Sequence, residues 1–245
     1  MHRDELLKYL AELLVVDEIE DRGINGLQVE GREEIERVVT GVSACAELFE
    51  RAIELGADAV IVHHGILWQG QDPTIRGVFR RRVKLLLDHD VNLLAYHLPL
   101  DKHPEIGNNA LAAKAIGLRH LELFAGVGWV GATEPMGVDE LVGKVEQLYG
   151  QKPLVFPYGS DTVRRIAILS GGGQKYVEEA IDRGADAYIT GEAGETVMNL
   201  AREAGLHFLA AGHYATERPG IRALGDRLAT EFGLEVTFVD IPNPV

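Results

Sequence analysis

The chain has 245 residues, 46% of them apolar and 25% charged. This composition excludes a disordered or collagen-like chain and fits one large globular domain or two small ones. Lys and Arg number 24 against 38 Asp and Glu, a net charge of −14, so the surface as a whole repels phosphate backbones and disfavours nucleic acid as a partner. The single cysteine, Cys45, excludes an internal disulfide. No apolar run approaches the roughly 18 residues of a membrane span, and Met1-His2-Arg3-Asp4-Glu5-Leu6 lacks the cationic-then-apolar pattern of a secretory signal. A cytoplasmic protein is expected.

In chain order, residues 38–42 read as a buried β-branched strand, and 45–55 as a helix with Leu48, Ala52 and Leu55 on one stripe, stopped by Gly56. Strands follow at 59–62 and 92–96, with helices at 77–89 and 107–117. The middle stretch, 119–160, carries one strand (128–132) and one helix (138–148). Then come strands at 165–169, 187–190, 207–211 and 235–239, alternating with helices at 174–183, 195–204 and 219–232. The alternation predicts an α/β layer fold.

The two ends of this pattern resemble each other in detail. Residues 52–61 and 180–189 match at seven of ten positions, both containing Gly-Ala-Asp-Ala before a strand. The prediction is two similar α/β halves, 1–125 and 126–245, related by an internal duplication, with a metal site in the cleft between them.

That site is argued from position. His97-Leu98-Pro99-Leu100-Asp101 follows the strand 92–96, and His213-Tyr214-Ala215-Thr216-Glu217 follows the strand 207–211. Each is His-x-x-x-carboxylate at the C-terminal end of a strand, where open α/β sheets gather their ligands. His63-His64-Gly65 ends the strand 59–62. Neighbouring strand residues point to opposite faces, so these two imidazoles meet one centre only if the backbone bends, which Gly65 permits. Four imidazoles and two carboxylates suit Zn, Fe, Mn, Co or Ni rather than Ca or Mg. Six ligands exceed a mononuclear site and fit two ions with a bridging carboxylate. The other histidines, at 2, 89, 103, 120 and 207, read as surface, core or supporting residues.

His63-His64-Gly65, the two His-x-x-x-carboxylate units, Asn25-Gly26-Leu27-Gln28-Val29-Glu30-Gly31 and Thr190-Gly191-Glu192 together resemble the NIF-three-like family, also known as GTP cyclohydrolase 1 type 2 homologues. The resemblance spans nearly the whole chain. It implies a dinuclear centre held by His63, His64, Asp101, His213 and Glu217, with His97 as ligand or supporting residue. It also implies a toroidal homohexamer with the sites facing an inner cavity. Tyr214 stands where some members place a second histidine.

A 128-residue shift of His64 lands on Glu192. The expectation is a general base or an orienting group for metal-activated water; the bland alternative is a helix N-terminal acid. Arg76, Arg80, Arg81, Arg82 and Lys84 read as a solvated helix face or subunit contact, and alternatively as a phosphate clamp. Asn25-Gly26 reads as a turn, with a reach of Asn25 or Gln28 into the site left open. Gly171-Gly172-Gly173, after the strand 165–169, resembles a phosphate loop but lacks the Walker Lys-Ser/Thr and the GxGxxG spacing, and reads as a tight turn. Trp68 and Trp129 read as packing residues, or alternatively as platforms for a base. Ser170 and Cys45 have no adjacent base and are not proposed as nucleophiles. The expected function is a dinuclear metal-dependent hydrolase acting on a small nucleotide-like or phosphorylated substrate. The alternative is a non-enzymatic metal-binding, delivery or regulatory scaffold protein.

Overall fold

The computed structural model describes residues 1–245. The chain is a mixed α/β protein. In order it runs α1 (Arg3–Leu14), β1 (Gly26–Val29), β2 (Arg37–Ser43), α2 (Ala46–Glu54), β3 (Ala59–His64), α3 (Gly77–Asp88), β4 (Asn92–Ala95) and α4 (Leu98–Lys102). It continues with α5 (Asn108–Ile116), β5 (Arg119–Phe124), β6 (Gly128–Met136), α6 (Val138–Tyr149), β7 (Leu154–Pro157), β8 (Val163–Leu169) and α7 (Val177–Asp182). It ends with β9 (Ala187–Thr190), α8 (Val197–Ala204), β10 (His207–Ala210), α9 (His213–Phe232) and β11 (Glu235–Phe238).

Two compact units result: Met1–Leu100 with Gly220–Ile241, and Asp101–Pro219 with Pro242–Val245. The chain leaves the first unit within α4 and returns to it within α9, beside Pro219.

The first unit holds a five-stranded sheet in the order β1-β4-β3-β2-β11. All neighbours are parallel except β1, which pairs antiparallel with β4. Its central strands are buried along almost their whole length, as expected of parallel strands covered on both faces. Helix α2 turns Leu48, Phe49 and Ala52 inward, onto Val39, Val60, Val62 and Leu93.

The second unit holds a six-stranded sheet, β5-β6-β8-β9-β10-β7. Strands β8, β9 and β10 are parallel, and the outer pairings are antiparallel. Its core gathers Leu141, Val145 and Tyr149 of α6 with Ile166, Ile168, Ile189 and Leu209. Trp129 packs against this cluster, which is the packing role expected for it.

The sequence boundary at 125/126 and these units differ at both ends. β5 pairs antiparallel with β6, so the second unit begins earlier. β11, expected in the second half, pairs parallel with β2, with Val236 beside Val38 and Phe238 beside Thr40. An apolar alternation identifies a strand but not the sheet that accepts it. Helix α9 also begins six residues before the expected 219, and Pro219 is accommodated inside it.

The repeated Gly-Ala-Asp-Ala segment has the same local role in each unit. Asp58 Oδ2 accepts the backbone N–H groups of Glu36 and Arg37, both at 2.9 Å. Asp186 Oδ2 accepts those of Arg164 and Arg165, at 2.8 and 2.9 Å. Each aspartate pins the start of its helix-following strand to the neighbouring strand.

Candidate metal centre

In the first unit three imidazoles come together. His63 and His64 end β3, and His97 follows β4. Their ring centroids are 4.7, 5.0 and 5.4 Å apart, and each offers a nitrogen within 4.8 Å of the others. The bend that two adjacent strand histidines require is supplied just after β3. A Cβ at Gly65 would strike the Gln28 amide, whose Oε1 accepts the N–H groups of Ile66 and Leu67 at 2.7 and 3.1 Å. Gln28 therefore shapes the turn rather than reaching the imidazoles. Asn25 acts on the backbone too: its Oδ1 accepts the His97 N–H at 2.8 Å.

Each imidazole is anchored at Nδ1. His63, fully buried, donates to the Tyr96 carbonyl at 3.1 Å. His64 Nδ1 lies 3.0 Å from Ser43 Oγ, and His97 donates to Asp21 Oδ1 at 2.8 Å. A carbonyl or carboxylate can only accept, so it places the proton on Nδ1 and leaves Nε2 as the ligand-capable nitrogen. Trp68 packs edge-on against His97, with centroids 5.1 Å apart.

In the second unit, His213 opens α9 and Glu217 stands one turn later on the same face. His213 Nε2 lies 3.2 Å from Glu217 Oε1, and its Nδ1 lies 2.6 Å from Glu192 Oε1. Burial disfavours the charged ring, but these two carboxylates outweigh it and raise its pKa to about 9. Asp101 and Glu217 present carboxylate oxygens within 4.8 Å of one another, and both residues are buried, at 4% and 2% exposed. Asp101 Oδ1 accepts from Asn108 Nδ2 and Ser170 Oγ, both at 2.8 Å. The Ser170 hydroxyl thus orients a carboxylate and is no nucleophile.

Glu192 lies beyond the end of β9 and well before α8, so it is not a helix N-terminal acid. Its Oε2 accepts from Gln174 Nε2 at 3.1 Å, and both its oxygens are engaged. The triple-glycine turn matters because Gly171 approaches Glu217 and His213 closely.

The remaining candidates lie elsewhere. Arg76, just before helix α3, and Arg80, Arg81 and Lys84 on it are exposed, while Arg82 is half-buried; Arg76 pairs with Asp72 at 3.2 Å and Lys84 with Asp88. His2 caps α1, His89 bonds the Leu85 carbonyl, His103 accepts from Glu105 and Ile106, and His207 bonds the Ser160 carbonyl. Cys45 caps α2. The reading from sequence passed over Asp21, Asn108, Ser43 and Gln174, short polar side chains without any motif of their own.

The donor chemistry fits a borderline transition metal: imidazole nitrogens and carboxylates, with oxygen partners on the far side of each ring. A family profile described as Duf34/NIF3 (NGG1p interacting factor 3) matches residues 1–244. A protein of Escherichia coli (strain K12) named GTP cyclohydrolase 1 type 2 homolog is 49% identical over 246 residues, covering 100% of both chains. Two solved structures superpose over 100% of both chains. A protein named ybgI, described as of unknown function, does so with TM-score 0.95 and 48% identity, and TTHA1606 from Thermus thermophilus with TM-score 0.94 and 37% identity. The chain belongs to the Duf34/NIF3 family.

Proposed function

We propose that the protein is a metal-dependent hydrolase in which His63, His64, His97, Asp101, His213 and Glu217 hold two divalent transition-metal ions, drawn from Zn, Fe, Mn, Co and Ni. Its substrate in this reading is a small nucleotide-like or phosphorylated molecule. The observation that carries the reading is the anchoring of all four imidazoles at Nδ1, by Tyr96, Ser43, Asp21 and Glu192. Metal-binding histidines repeat this pattern because the far-side oxygen fixes the ring direction and, where it can only accept, as at Tyr96, Asp21 and Glu192, the tautomer as well. The name GTP cyclohydrolase 1 type 2 homolog, borne by the relatives, supports a purine nucleotide as the substrate.

Bound in this set, the ions would supply Lewis-acid polarisation and lower the pKa of water to about 7. The protein's own part is positional. Asn108 and Ser170 turn the Asp101 carboxylate, and Glu192 holds the His213 ring from behind. To serve as a general base as well, Glu192 would have to release Gln174 or His213, so orientation is the role its contacts favour.

Metal analysis of the purified chain should find two equivalents, and a hydrolase panel that includes GTP should show turnover that disappears on chelation and returns with metal. His63→Ala combined with His213→Ala should release the metal without unfolding the chain, read by circular dichroism. Unchanged stoichiometry would sink the reading. Full loading with no turnover on any substrate would favour the carrier or scaffold alternative.

A further inference from the structure

We propose that Asp21 is the positioning residue for His97, holding its ring by Nδ1 so that Nε2 is the nitrogen left for the metal. The inference rests on the metal-binding reading above.

Asp21 lies 76 residues before His97 in sequence, in the segment between α1 and β1. Its side chain is 3% exposed. Every contact its carboxylate makes is with a donor. Oδ1 accepts from Gly23 N–H at 2.9 Å and from His97 Nδ1 at 2.8 Å. Oδ2 accepts from Leu98 N–H at 2.9 Å and from Asn25 Nδ2 at 3.0 Å. Asn25 in turn accepts the His97 N–H. One carboxylate and one amide therefore hold both the ring and the backbone of His97.

Four donors around one carboxylate leave no place for an N–H on residue 21. A neutral amide would have to point its NH2 group at two other donors. The cluster thus demands an anion, and an anion at Nδ1 both keeps the proton there and makes Nε2 a stronger donor to a cation. Trp68 packs edge-on against one side of the same ring. A histidine that merely filled space beside His63 and His64 would need none of this. The ring sits 5.0 and 5.4 Å from theirs, with a ligand-capable nitrogen inside the same 4.8 Å group.

The test is Zn(II) affinity of the full-length protein, measured by competition with a chromophoric chelator. Asp21→Asn should weaken the more weakly held ion about 10–100-fold, and His97→Gln should weaken it at least as much. Asp21→Asn introduced on top of His97→Gln should change nothing further, because the carboxylate acts through the ring. With Co(II) as the probe, both single variants should shift the visible absorption in the same direction. If Asp21→Asn does not fold, Asp21→Ser keeps the local turn to Gly23 yet cannot span to His97, and should give the same loss. Wild-type affinity in either Asp21 variant overturns the inference, as does an equal loss with and without His97. A wild-type chain that takes up no Zn(II) overturns the metal reading itself, a result distinguishable from both.

Discussion

Gly171 has φ +64°, and a Cβ there would run into Glu217 Oε1 and lie 3.1 Å from His213 Nε2. The residue serves two ends at once: left-handed backbone costs a non-glycine residue roughly 1–2 kcal/mol, and the missing side chain leaves room for two candidate ligands. Gly171→Ala should therefore lower the melting temperature and, separately, the metal content at saturating metal. A variant with reduced stability but full metal content would show that only the backbone conformation matters. At this scale the sequence is legible where a residue type is chemically rare. His63-His64 and the two His-x-x-x-carboxylate units stand out unaided. Asp21 does not, because one aspartate among 38 acidic residues acquires meaning only when folding brings it 2.8 Å from His97.

Among the elements, the repeated helix–turn–strand carries the clearest structural logic. Asp58 and Asp186 each accept two backbone N–H groups at the start of an adjacent strand, and Asp58 also meets Arg32 at 3.0 Å. Charged hydrogen bonds of this kind are worth about 1.5–3 kcal/mol each. Asp186→Ala should lower the midpoint of chemical denaturation by a few kcal/mol equivalent, with metal content unchanged; a change below about 0.5 kcal/mol, the scale of ordinary surface substitutions, would refute the pinning role. The seven shared positions announced this equivalence in advance, since the same residues in the same order recreate the same local bonds. The central strands were equally legible, because burial on both faces writes a continuous apolar run. Two edge strands, β5 and β7, were not: they are largely exposed or half-exposed, and their apolar residues, among them Leu121 and Leu123 in β5 and Leu154, Val155 and Phe156 in β7, form runs too short to identify a strand by pattern alone. The beginning of α9 was hidden by Pro219, whose usual place is the first turn of a helix.

Taken whole, the chain is an α/β protein of the Duf34/NIF3 family, and none of its helices is long and apolar enough to cross a membrane. We propose the homohexamer that the family resemblance implies. Around helix α3, Ile75, Val78 and Leu87 are each more than half exposed, apolar surface that a subunit contact would cover. Sedimentation velocity should show a hexamer for the wild type, and Val78→Glu with Leu87→Glu should shift it to smaller species. A monomeric wild type would remove the proposal. The sequence by itself determined the fold class, the ligand candidates and the repeated aspartate turn, because these follow from local periodicity and from residue types with few alternative uses. Only the tertiary structure decided which sheet receives β11, where the two units divide, and which oxygen stands behind each imidazole. Those outcomes depend on contacts between residues far apart in the chain, and such contacts leave no trace in local pattern.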